Sequence, residues 1–119
     1  MADDAFIENL VIAQGAKFFH EFEWKTDGVL EPLVGYTAKM QIRPSVESDE
    51  VLVELSTTNS RIELVSPGVI QLEIGASITS TFDSSVYAVY DLFLRKDADD
   101  ITKLVKGSVQ IIGAVTRDA

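Results

Sequence analysis

Val86-Tyr87-Ala88-Val89-Tyr90-Asp91-Leu92-Phe93-Leu94-Arg95 is the stretch on which the fold turns. Its even positions carry Val, Ala, Tyr, Leu and Leu, and its odd positions carry Tyr, Val, Asp, Phe and Arg. Successive side chains of a strand point to opposite faces, so an unbroken period of two makes this segment a long strand with one wholly apolar face. The other face is unusually apolar for a wetted one, because Tyr87, Val89 and Phe93 share it with Asp91 and Arg95. The first expectation for those three side chains is a place in the core of a sandwich, under a second sheet. The rival expectation is an interface with a partner, where aromatic anchors are enriched.

Upstream, Ala76-Ser77-Ile78-Thr79-Ser80-Thr81-Phe82 is too short and too rich in Ser and Thr for a stable helix. It is expected to cross from one sheet to the other with one helical turn. Ile70, Leu72 and Ile74 alternate with Gln71 and Glu73, and the turn signal Ser66-Pro67-Gly68 joins this strand to Ile62 and Leu64 as a hairpin. Val51, Val53 and Leu55 form a shorter strand, closed by Thr57-Thr58-Asn59-Ser60. Tyr36, Ala38, Met40 and Ile42 alternate with Thr37, Lys39, Gln41 and Arg43 until Pro44 stops the run. Ala16 to Trp24 repeats the alternation with Phe18, His20, Phe22 and Trp24 on one parity, and Phe6 to Ile12 adds an edge strand.

Downstream, Asp97-Ala98-Asp99-Asp100 reads as a turn before a last strand through Leu104, Val105, Val109, Ile111 and Ile112, with a bulge expected at Gly107. The pattern amounts to about seven or eight short strands between turn signals, as in a sandwich or small barrel. No helix-period segment, linker or repeat interrupts it, so residues 1–119 are taken as one domain.

The composition excludes several classes of function. Without cysteine there are no disulfides, thiol nucleophiles or Cys-ligated metals, which suits assembly in a reducing cytosol. The acidic start Met1-Ala2-Asp3-Asp4, with no long apolar run after it, argues against a signal peptide or membrane span. A net charge of -9 argues against direct binding of nucleic acid, which needs clustered Lys and Arg. Between Pro44 and Asp91 eight acids face a single base, Arg61, and this stretch is expected to be a solvated surface.

Candidate chemistry is sparse. His20 is the only histidine; it shares a parity with Phe18, Phe22 and Trp24, and nothing in the sequence supplies it with a nucleophile, so it is expected to be packed or at an interface. Asp97, Asp99 and Asp100 resemble the opening of a calcium loop but lack its Gly and its bidentate Glu, which leaves a hairpin turn. Asp91 is expected to pair across strands with Arg43 or Lys39. No Gly-x-Ser-x-Gly, phosphate loop or dinucleotide fingerprint occurs, so neither an enzymatic function nor a cofactor is expected.

One succession of features is informative as a set. It runs from Gln14-Gly15 into an aromatic strand, through Leu33 to Arg43, then Val89-Tyr90-Asp91-Leu92, Lys106-Gly107-Ser108-Val109 and Val115-Thr116-Arg117. This order resembles small proteins and domains of the tail, baseplate and neck region of tailed phages, including the N-terminal β-sandwich domain of upper baseplate proteins. The resemblance implies a virion component, assembled in the host cytoplasm, that binds other virion proteins and copies of itself and brings no catalytic residues. The resulting expectation is a single immunoglobulin-like or related β-sandwich of antiparallel strands. Its expected interface residues are Phe6, Ile7, Leu10 and Ile12 on one edge strand, Tyr87, Val89 and Phe93 on the long strand, and Ile112 and Val115 on a second edge running from Val109 to Val115. The alternative is a carbohydrate-binding sandwich that stacks sugars on Trp24, Tyr36, Tyr87 or Tyr90.

Overall fold

The computed structural model describes residues 5–83 and 86–116. Along the chain lie β1 (Phe6–Ile7), β2 (Leu10–Ala13), β3 (Phe18–Glu23), β4 (Lys25–Thr26), β5 (Val29–Leu30), β6 (Thr37–Arg43), β7 (Val53–Ser56), β8 (Ile62–Val65), β9 (Val69–Ile74), α1 (Ala76–Thr79), β10 (Val86–Asp97) and β11 (Asp100–Ile112). The larger sheet has the order β1-β11-β10-β6-β7, with β2 following β1 along the same side of β11. The smaller sheet has the order β3-β9-β8, and β4 and β5 form a separate two-stranded ribbon. The two larger sheets stack face to face as an immunoglobulin-like β-sandwich. Among the described residues no helix is long and apolar enough to cross a membrane.

Alternation decides which side of each strand is dry. Ala38, Met40 and Ile42 of β6, Ala88, Tyr90, Leu92 and Leu94 of β10, and Ile70, Leu72 and Ile74 of β9 are all buried in one cluster between the sheets. In the absence of a disulfide, aromatic rings meet across the gap: Phe22 of the smaller sheet stacks on Tyr90 of the larger, centroids 6.5 Å apart. The chain passes between the sheets through α1, whose Thr79 is fully buried and donates its hydroxyl to the Ala16 carbonyl at 2.8 Å. Asp97 Oδ1 accepts the backbone N–H groups of Asp99 and Asp100, so the three aspartates form the expected hairpin turn.

The last strand departs from expectation in two respects. It is not an edge: β11 is hydrogen-bonded to β10 on one side and to β1 and β2 on the other, so the proposed second edge from Val109 to Val115 does not exist. Its bulge lies before Gly107, because Leu92 pairs with Val105 and Phe93 with Lys103, leaving Leu104 as the extra residue. Leu104 and Val105 are consequently both buried, a doublet that simple alternation forbids. The strand count also exceeds the expected one, since short segments such as β1, β4 and β5 add to it. The pairings of β1 and β2 with β11 are parallel. Parallel pairing needs a long connection, which nearly the whole chain supplies here.

Gly107 has a different task from the expected one. Between β1 and β2 the chain jogs at Glu8 and Asn9, and a Cβ on Gly107 would stand within van der Waals contact of the Glu8 carbonyl, 2.2 Å from its oxygen. The close approach satisfies the jog's polar groups. Glu8 N–H donates to the Lys106 carbonyl at 2.9 Å, Asn9 Oδ1 accepts Ser108 N–H at 3.0 Å, and the Glu8 carbonyl accepts the Tyr90 hydroxyl at 2.6 Å. Burial, and secondarily the Glu8 carboxylate, push the Tyr90 hydroxyl well above its ordinary pKa. His20 sits beside the rings of Phe18 and Phe22, and its Nε2 lies 2.5 Å from Glu8 Oε2, linking the outermost strands of the two sheets on one side of the sandwich.

Candidate docking face

The second sheet covers only one side of the larger sheet, so the odd-numbered side chains of β10 face outward. Tyr87 is 66% exposed, Phe93 37%, and Val89 is half-buried, which overturns the expectation of a core position for them. Strand register fixes their neighbours. Lys103, Phe93 and Lys39 form one row across β11, β10 and β6; Lys106, Asp91 and Gln41 form the next; Ser108, Val89 and Arg43 the third. A shallow hollow of about 330 Å³ opens over the second and third rows, with Ile7, Arg43, Val89, Asp91 and Lys106 in its lining.

Basic residues are frequent at the outward strand positions of this face. Nineteen acids and ten bases would place about two acids for each base on an average surface. Here Lys39, Arg43, Arg95, Lys103 and Lys106 share the outward strand positions between the hairpin tip and Tyr87 with Asp91 of β10 and Glu54 of β7. Asp91 approaches Lys103 at 3.8 Å rather than Arg43 or Lys39, because the bulge in β11 brings Lys103 round to the outer face. Glu54 lies 3.7 Å from Lys39 and accepts Gln41 Nε2 at 2.7 Å. Gln41 Oε1 in turn accepts Nε and Nη2 of Arg43, while Arg43 Nη1 donates to the Ser48 carbonyl at 2.6 Å. This network orders the side chains of the face, and solvent-exposed pairs of this kind each contribute only about 0–1 kcal/mol.

The other expected interface residues divide between surface and core. Phe6 and Ile7 of β1 and Ile112 of β11 are exposed, and Ile7 borders the hollow beside Lys106. Val115, which follows β11, is almost fully exposed. Leu10 and Ile12 are not interface residues: pairing of β2 with Val109 and Ile111 turns both inward, where they are 3% and 0% exposed. Their β2 neighbour Val11 points outward instead, in a row with Gln110 and Tyr87. Lys103 and Ile101 escaped notice because no local motif marks them, and Lys39 and Arg43 were expected only as cross-strand partners of Asp91.

The four aromatic residues weighed for sugar stacking do not share a surface. Tyr90 is in the core, Tyr87 is on the outer face of the larger sheet, and half-buried Trp24 packs edge-to-face on Tyr36, ring centroids 5.5 Å apart. Among the described residues no three His, Asp or Glu side chains gather as a metal site.

No protein-family model and no curated protein sequence matches the chain. Among solved structures it is similar to the immunoglobulin-like domain of mouse leukocyte-associated immunoglobulin-like receptor 1, crystallised as a strand-swapped dimer. The TM-score is 0.51 with 12% identity, over 87% of this chain and 88% of that one. The extracellular domain of the voltage-gated sodium channel beta4 subunit, described as a parallel homodimer, gives a TM-score of 0.48 with 12% identity over 97% and 98%. At such identity the likeness is one of fold: the chain is an immunoglobulin-like β-sandwich.

Proposed function

We propose that this protein is a non-enzymatic structural component of a tailed-phage particle, docking or anchoring tail, baseplate, fibre or neck proteins through a symmetric assembly. The observation that carries the proposal is the outer face of the larger sheet, where Tyr87, Val89 and Phe93 stand uncovered among five cations of an otherwise acidic chain. Aromatic residues and arginine are enriched at protein interfaces, in which rings supply buried area and rim charges, lysines included, supply orientation. The phage assignment rests on the resemblance of Val89 to Leu92, Lys106 to Val109 and Val115 to Arg117.

Light scattering behind size exclusion, on the protein alone and mixed with the tail and neck proteins encoded beside it, tests the proposal. A ring-sized oligomer or a stable mixed complex is the expected result. A monomer that binds none of those proteins would refute it.

A further inference from the structure

The smaller sheet ends on an open edge. Among the described residues β3 is the longest strand at a sheet edge, six residues against four in β2, β7 and β8. Trp24 N–H donates to the Gly68 carbonyl at 2.7 Å, and the same ladder continues without a bulge through Phe22 with Ile70, His20 with Leu72 and Phe18 with Ile74. Alternation along it sends the backbone N–H and C=O groups of Phe19, Glu21 and Glu23 away from β9, where they meet no partner among the described residues. The edge at β7 is closed. There the Glu54 carbonyl accepts Asn59 Nδ2 and Arg61 Nη1 at 2.9 and 3.0 Å, and Ser56 N–H donates to Asn59 Oδ1 at 3.0 Å, so side chains stand where a next strand would bond. From Phe18 to Glu23 there is no proline, lysine or bulge, the devices that commonly blunt an edge, and Phe19 is 52% exposed.

Charge selects what can pair there. A second β3 laid antiparallel must bond through the same odd-numbered residues, and like charges directly opposite are destabilising. Centred on Glu21, that residue faces its own copy; centred on Phe22, Glu21 faces Glu23. Centred on Phe19, Phe22 and Glu23 are opposed to the turn at Ala16 and Gly15, whose φ is 83°. Centred on His20, Phe19 faces Glu21, Lys17 faces Glu23, and no like charges are opposed. We infer that the occupant of this edge is β3 of a second copy, antiparallel and centred on His20, which joins the two smaller sheets into one. Each chain gives and receives the same bonds about a twofold axis, so association closes at a dimer. The two Phe19 residues become diagonal neighbours on one face, within reach of one another for aromatic rings. On that face Gln71 Nε2 donates to Glu21 Oε2 at 2.7 Å, drawing the carboxylate toward β9 and away from its counterpart. Lys17 and Glu23, paired within the chain to Glu73 at 3.2 Å and Lys25 at 3.5 Å, are exposed and each gain a second opposite charge. The inference goes beyond the docking reading and leaves the outer face of the larger sheet free for other particle proteins.

Sedimentation velocity of the full chain over a concentration series, together with amide exchange, tests this. The expected result is a reversible dimer in which the Phe19, Glu21 and Glu23 amides gain protection as concentration rises. Glu21→Pro removes an N–H that points off the sheet, so the β3–β9 ladder stands while dimerisation falls at least tenfold. Each charge reversal shifts the net charge by two, so Lys17→Glu takes the chain from -9 to -11 and Glu23→Lys takes it to -7. General repulsion between copies predicts opposite effects from these two variants. Opposed residues predict that both weaken the dimer severalfold, and that the double variant, again at -9, recovers it. Circular dichroism confirms the fold of each. A wild type that is monomeric at every concentration, or a dimer indifferent to Glu21→Pro and to both reversals, overturns the inference. A monomer that still binds a tail or neck protein overturns the edge contact alone, and a dimer that binds none of them overturns the docking reading alone.

Discussion

Replacing Gly107 with alanine tests how the edge of the larger sheet is held. The added Cβ would sit 2.2 Å from the Glu8 carbonyl oxygen and 2.8 Å from its carbon. Both atoms are backbone, so no side-chain rotation relieves the overlap, and the jog between β1 and β2 must retreat by about 1 Å to reach ordinary contact. That movement strains three hydrogen bonds together: Glu8 N–H to Lys106, Ser108 N–H to Asn9, and the Tyr90 hydroxyl to the Glu8 carbonyl. At about 1 kcal/mol net for each bond, with about 0.5–1 kcal/mol returned by alanine's better strand propensity, the expected loss is about 2–3 kcal/mol. With urea m-values of about 1–3 kcal/mol/M the unfolding midpoint falls by roughly 0.7–3 M. Amide exchange gives a local readout, since the Glu8 and Ser108 N–H groups lose protection while those of β9 keep theirs. A midpoint within about 0.3 M of wild type, with both amides still protected, would refute the close-approach argument.

Tyr90→Phe leaves the Glu8 carbonyl without its hydroxyl donor and should cost about 1 kcal/mol at neutral pH by denaturant unfolding. Because the native Tyr90 pKa is raised above the ordinary 10.0, the unfolded chain releases this proton first, so wild-type stability falls as pH rises past that value. Tyr90→Phe should lose less than wild type between pH 8 and about 11; equal losses would exclude Tyr90 as the source. Thr79→Val removes the buried hydroxyl that donates to the Ala16 carbonyl and should lower stability by about 1–2 kcal/mol, measured in urea. Phe93→Ala should leave the thermal midpoint within a few degrees of wild type yet weaken binding of the tail and neck proteins at least tenfold by sedimentation, because its ring is more than a third exposed.

The sandwich was legible because its evidence is local. Period-two alternation in β6, β9 and β10 names the buried residues with no knowledge of their partners, and Leu72, Ile42 and Leu92 lie in the core accordingly. The β8–β9 hairpin and the aspartate turn follow from turn chemistry within a few residues. The ribbon of β4 and β5 was marked by Asp27-Gly28, both with positive φ, and passed unread because its strands are too short to alternate. Long-range pairing was not legible. That β11 is interior depends on β1 and β2 returning to its far side from the opposite end of the chain, which also turns Leu10 and Ile12 inward.

The docking face shows why a site made by register escapes a reading made by parity. Lys103 and Lys106 are odd and even in number, so an unbroken strand would send one to the core and the other to solvent. The extra residue at Leu104 resets the alternation between them. Ile101 and Lys103 face outward before the bulge, Lys106 and Ser108 after it, and Leu104 and Val105 absorb the change by both turning inward. One inserted residue therefore brings two lysines to the same surface, one beside Phe93 and the other beside Asp91. Deleting Leu104, the residue without a partner on β10, would leave Lys103 opposite Phe93 and Lys106 opposite Asp91 on the same face, and would remove only the buried doublet and the local kink. The bulge is thus the point at which sequence spacing is converted into the charge pattern of the proposed interface.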